Sequence, residues 1–195
     1  MIGPDYDGDL SAIRLKNKGA YGIGTLHALD GELVVNDKKL HHCRNGKAHT
    51  LSGNEKIAWA SLHDFVNPEE CTSDISYDTM EKFILEKELS ETRDFVGIVV
   101  KGLFSVLKLT STPKQKKPYP SIADVIRKSH SYYFSSIPGI AVGYYVPNTM
   151  SMIQNPGIHL HFISDDEKIG GHVLDFYAES AKIILEKISK IELEL

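Results

Sequence analysis

The chain has 195 residues, 42% of them apolar and 25% charged, with a formal net charge of −4. That is the balance of an ordinary globular protein with room for one sizeable core. It argues against a nucleic-acid binder, because the tightest basic cluster is only Lys114, Lys116 and Lys117 between two prolines, and no window approaches the roughly 18 apolar residues of a membrane span.

Residues 1–19 hold no apolar core long enough for a signal peptide. The two cysteines, Cys43 and Cys71, lie far apart and form no CxxC pair, so they suggest reduced thiols rather than a disulfide framework. The expectation is a cytoplasmic protein with neither nucleic-acid nor membrane partners.

Along the chain, residues 9–18 predict a short helix, capped by Asp9 or Ser11 and stopped by Gly19. Strands are expected over 22–28 and 32–36, on either side of Leu29-Asp30-Gly31, because Asp-Gly is a strong hairpin signal. Residues 39–43 form a candidate third strand, and 57–65 read as a buried one. Residues 77–89 predict a helix with Met80, Phe83, Ile84 and Lys87 on one face.

The apolar run 95–109 reads as two strands broken at Lys101-Gly102, followed by a Pro-rich loop over 112–120. Ser121, with Asp124 three residues on, opens a capped helix. Strands are expected over 137–146, 157–163 and 172–177. The C-terminus is ambiguous: Ile184, Ile188 and Ile191 fit a helix, whereas 190–195 alternates like a strand. Mostly strands with a few helices predicts a sheet-rich α+β fold with mixed or antiparallel sheets. One domain over 1–195 is expected, in two packed halves of roughly 1–110 and 111–195.

The segment GIHLHFISDDEKIGGHVLDFY at 157–177 carries three of nine histidines. His159 and His161 share a strand face, since residues i and i+2 point the same way. If Ile163 pairs with Gly170 across the polar turn 164–169, His161 lies directly opposite His172, with Cβ atoms roughly 5 Å apart. Three imidazoles then converge at a C-terminal β-hairpin, the layout of a catalytic zinc site with an open position. Imidazole also suits other divalent metals. The competing reading is three polar residues on an exposed strand face. His27 lies near this site in the hairpin arrangement but reads as structural. His41, His42, His49, His63 and His130 read as surface or structural residues.

HLHFISDDEKIGGHVLDF resembles the zinc hairpin of the α-acetolactate decarboxylases. YDGDL, KGAYGIGTLHALDGEL, KPY at 117–119 and the IPGI and AVGYY region resemble the same family in the same order. The resemblance spans roughly residues 6–195. It implies conversion of 2-acetolactate to acetoin and carbon dioxide, a two-part sheet-rich fold, a homodimer, and one zinc held by His159, His161 and His172. By the same resemblance Glu32 acts beside the metal and Thr25 lines the site. The family carries an arginine in a TRT-like stretch. Here LKLTSTPKQKKPY has Thr110 or Ser111 in that place. Lys108, on the strand face of Thr110, is the candidate cation, although lysine lacks the planar fork of arginine. The family's C-terminal tail supplies a further carboxylate, for which Glu192 and Glu194 are poor candidates.

The chemistry implied needs no organic cofactor. A 2-hydroxy-3-keto acid chelates the metal, which stabilises the enediolate left by loss of carbon dioxide, and Glu32 returns a proton. Two other functions stand beside this one: a metal enzyme acting on another 2-hydroxy-keto acid, and a non-catalytic metal- or ligand-binding module.

Overall fold

The computed structural model describes residues 4–87 and 94–193. Two six-stranded sheets, with every pairing antiparallel, face each other. The first is built from β1 (Leu10–Ser11), β2 (Tyr21–Leu26), β3 (Glu32–Asn36), β4 (Lys39–Arg44), β5 (Lys47–Thr50) and β6 (Lys56–His63), in the order β1-β6-β2-β3-β4-β5. The second holds β7 (Glu69–Ser76), β8 (Phe95–Ser111), β9 (His130–Phe134), β10 (Ile137–Val146), β11 (Gly157–Ser164) and β12 (Gly170–Ile188), in the order β7-β12-β11-β10-β8-β9. The division between sheets therefore falls between His63 and Glu69, earlier than the expected boundary near residue 110, because β8 pairs with β10 and β12.

In the second sheet β12 also pairs with β8, so β8, β10, β11 and β12 close into a ring. One side of that ring gathers the main core: Ile98, Val100, Phe104, Leu160, Phe162, Phe176 and Ile183 are all fully or almost fully buried. Helix α1 (Tyr77–Glu86) adds Met80 and Ile84 to it. Its start is fixed by Ser76, whose hydroxyl accepts from the Thr79 N–H in a capping box. The opposite side, with Val99, Ile140, Val142 and Ile163, packs on Val34 and Cys43 of the first sheet.

Several elements differ from the sequence reading. Residues 9–18 give only β1 and one 3₁₀ turn, Ala12–Leu15, because the Ala12 and Ile13 amides donate to the carbonyls of Glu55 and Gly53. Residues 95–111 form one strand rather than two. Gly102 does not break it; a Cβ there would lie 3.1 Å from Ala181, so the glycine admits a close crossing of β12. The C-terminal ambiguity resolves as strand through Ile188, while residues 189–193 have no regular structure and 194–195 lie outside the described residues, as does the end of the expected 77–89 helix. Strands β5, β7 and β9 had no expected counterpart. Among the described residues no helix is long and apolar enough to cross a membrane.

Where the sheets meet, His63 of β6 is 9% exposed and its Nδ1 lies 3.0 Å from the Tyr144 hydroxyl on β10. Burial holds its pKa down to about 4 from 6.5. Between those values the unfolded chain binds a proton that the folded chain refuses. From this group alone, stability is complete above pH 6.5 and is lost as pH falls towards 4, by about 3 kcal/mol. Urea unfolding of the unaltered chain and His63→Gln, compared at several pH values, isolates that contribution: the unaltered chain should lose more stability than the variant as pH falls. An unaltered slope in the variant would assign the acid sensitivity elsewhere.

Candidate active site

The site lies between the sheets. On β11 and β12 the register is Ile163 with Gly170 and His161 with His172, the pairing expected from the sequence. His159, one same-face step along β11, completes the group, and one ring nitrogen from each histidine lies within 4.8 Å of the others. The ring centroids are 4.9–5.3 Å apart. The turn that carries them is docked onto the first sheet: Ala48 N–H donates to the Lys168 carbonyl, and Lys39 pairs with Glu167 at 2.8 Å.

Facing the histidines is a cross-strand row of the first sheet, Cys43–Glu32–Thr25–Trp59. Direct partners in a sheet share a face. Glu32 is 7% exposed and its Oε2 lies 3.6 Å from His161 Nε2. Glu32 Oε1 accepts from the Thr112 backbone N–H (2.9 Å) and lies 3.2 Å from the Thr112 hydroxyl, whose proton goes to the Leu29 carbonyl. Burial raises the Glu32 pKa to about 7, against the lowering effect of Thr112. Trp59 stacks against His159 with centroids 6.1 Å apart and ring planes within 6°.

The turn that delivers Glu32 is a 3₁₀ turn, His27–Leu29, in place of the expected tight Asp-Gly hairpin. Ala28 and Leu29 take the left-handed region (φ 63° and 53°), unusual for residues with a Cβ. Hydrogen bonds hold it on every side. Thr25 Oγ1 donates to the Gly31 carbonyl (2.7 Å), Thr112 Oγ1 to the Leu29 carbonyl (2.8 Å), and Gly31 N–H to the Thr112 carbonyl (3.0 Å). Thr25 thus fixes the backbone beside Glu32. The YDGDL and KPY segments meet behind this loop, where the Tyr119 hydroxyl donates to Asp7 at 2.7 Å and Lys117 pairs with the same carboxylate.

The donor set fits a divalent metal. His161 Nδ1 lies 2.8 Å from the Leu33 carbonyl, which can only accept, so Nδ1 carries the proton and Nε2 the lone pair. That Nε2 is buried with no hydrogen-bond partner, and its lone pair is one a cation would satisfy. Burial and mutual repulsion keep the rings neutral, as ligation requires: His159 is held down to about 3, His172 to about 4 by burial, and His161 well below its usual range.

The structure thus brings together His159, His161, His172, Glu32 and Thr25. It does not bring Lys108. One same-face step beyond Thr110, roughly 7 Å along β8, Lys108 sets its ammonium 5.5 Å from the Tyr133 ring centroid on β9, and no ion pair links it to Glu32. Ser111 accepts from Asn45 N–H at 2.9 Å. Glu192 pairs with Lys190, and Glu194 lies outside the described residues. His27 accepts from Gly8 N–H rather than joining the cluster.

A family description for alpha-acetolactate decarboxylase matches residues 2–195. The chain belongs to the alpha-acetolactate decarboxylase family. It is accordingly a carboxy-lyase by class. An alpha-acetolactate decarboxylase of Brevibacillus brevis is 31% identical across the whole chain and 69% of its own length. One from Methanosarcina mazei is 33% identical over 97% of this chain and 67% of its own. The crystal structure of alpha-acetolactate decarboxylase from Bacillus subtilis strain 168 superposes with a TM-score of 0.87 at 27% identity, covering 97% of this chain and 82% of that one. A Staphylococcus aureus protein described as similar to the family gives 0.87 at 26% identity, covering 94% and 80%.

Sequence reasoning missed Thr112, Trp59, Gln154 and the Leu33 carbonyl. Thr112 and Gln154 sit in loops with no periodic signal, and Trp59 and Leu33 reach the site through packing distant in sequence. Thr112→Val keeps the backbone donor to Glu32 but removes the hydroxyl bond to the Leu29 carbonyl. It should cost about 1 kcal/mol in thermal unfolding. An unchanged midpoint would show that the hydroxyl does not hold the turn.

Proposed function

We propose that this member of the family decarboxylates 2-acetolactate to acetoin and carbon dioxide at a zinc centre held by His159, His161 and His172, through an enediolate. The convergence of three neutral imidazoles on one point, with the Glu32 carboxyl beside them, carries the reading. When bound there, zinc would supply Lewis-acid stabilisation to the negative charge left by departing carbon dioxide. The bond to the substrate carboxylate breaks and its electron pair passes into the neighbouring ketone, giving the enediolate.

Glu32 then transfers a proton from Oε2 to carbon and is reprotonated from solvent. Its geometry suits that role. Thr112 occupies Oε1, so Oε2 is the oxygen facing the histidines, and burial raises the pKa to about 7, so that the carboxyl can hold and release a proton near neutral pH. Thr25 acts as a positioning residue through the Gly31 carbonyl. Lys108, seated over Tyr133, has no part in this scheme. The free thiols of Cys43 and Cys71 support a reducing, cytoplasmic setting, and the family resemblance supports a homodimer.

The test is one preparation assayed twice, for metal content and for acetoin from racemic 2-acetolactate. The expected result is about one metal per chain, with metal and acetoin both lost in His161→Ala. Glu32→Gln should keep the metal while turnover falls by about 10²–10⁴-fold. Metal without acetoin above the spontaneous rate would overturn the substrate assignment and favour another 2-hydroxy-keto acid. A chain that binds no metal would overturn the centre itself.

A further inference from the structure

Gln154 lies in the loop between β10 and β11, five residues before His159, and is 7% exposed. Its backbone N–H bonds back to the Met150 carbonyl at 3.3 Å. Its side-chain amide nitrogen sits 2.7 Å from His159 Nδ1, while its Oε1 is buried with no partner. In this arrangement the amide donates to Nδ1, so the neutral ring carries its proton on Nε2. A ring with Nδ1 taken by Gln154 can ligate only through Nε2, and only after that proton has left.

Turning the amide over resolves the conflict. Oε1 then accepts from Nδ1–H, and Nε2 presents a lone pair to the centre. His161 needs no such choice, because a backbone carbonyl already fixes its tautomer. Glutamine is both donor and acceptor, so it can pair with either tautomer of His159.

We propose that Gln154 is a positioning residue for the metal centre: its carboxamide pairs with Nδ1 of His159 in both tautomers and, by presenting its oxygen, sets Nε2 as the ligating nitrogen. The inference rests on the reading of the three histidines as ligands. Partners behind a ligating histidine typically change metal affinity by about 10–100-fold when removed.

The experiment titrates Zn²⁺ against a chromophoric chelator with the full chain, Gln154→Met and Gln154→Glu, and records the thermal unfolding of each metal-free form. Gln154→Met keeps the length and loses the polar pair. It should weaken Zn²⁺ by about 10–100-fold. Gln154→Glu can only accept, and should restore affinity to the starting level or above. Imidazole nitrogen NMR of the metal-free chains should show His159 moving from the Nε2–H to the Nδ1–H tautomer in Gln154→Glu. Equal affinity in all three chains would overturn the proposal. So would equal losses in the Met and Glu variants, which would mark Gln154 as packing alone. If the unaltered chain and His161→Ala bind Zn²⁺ alike, the metal centre itself fails, a result distinct from either.

Discussion

The hydrogen bond between His161 Nδ1 and the Leu33 carbonyl joins the two sheets at the point where the chemistry sits. Both groups are buried and neither could be left unpaired cheaply. The bond fixes the ring's tautomer, turns its Nε2 towards Glu32, and ties β11 to β3. The docking of one sheet on the other and the assembly of the site are therefore the same event. The apolar contacts around it, Val34 and Cys43 against Val142 and Ile163, supply the non-directional part of that docking. The polar bond supplies its register.

That arrangement sets the electrostatics. Packing the histidines between two sheets removes water, which disfavours their charged forms, and the same burial raises Glu32. Neutral bases and a carboxyl whose pKa lies near neutrality are what a cation site with an adjacent proton donor requires. No charged side chain has to be placed against Glu32 to obtain this. The Thr112 backbone N–H, bonded to Oε1, selects which oxygen faces inward.

The histidine hairpin was legible in the sequence because its pairing is local. A polar turn, two glycines and a period of two fix His161 opposite His172 without knowledge of the rest of the fold. The strands at 32–36 and 137–146 were legible for the same reason. The break expected at Lys101-Gly102 was not, since Gly102 serves a crossing with Ala181, nearly eighty residues away in the chain. Lys108 shares the strand face of Thr110, but strand parity does not reveal that Tyr133 on β9 takes its ammonium. Trp59 reaches His159 only because β6 pairs with β2, a register that no local pattern encodes.

The strained turn before Glu32 depends on the segment that follows β8. Ala28 and Leu29 both occupy left-handed backbone that side chains disfavour. Such a turn persists only when its surroundings over-determine it. Here Thr25, Thr112 and His42 bond to the carbonyls of Gly31, Leu29 and Asp30, respectively. The TST stretch at 110–112 divides its work accordingly. Thr110 faces His172 and binds the His130 carbonyl, Ser111 receives the Asn45 amide, and Thr112 holds both the turn and Glu32. The segment's main physical task is to clamp Glu32 against the histidines.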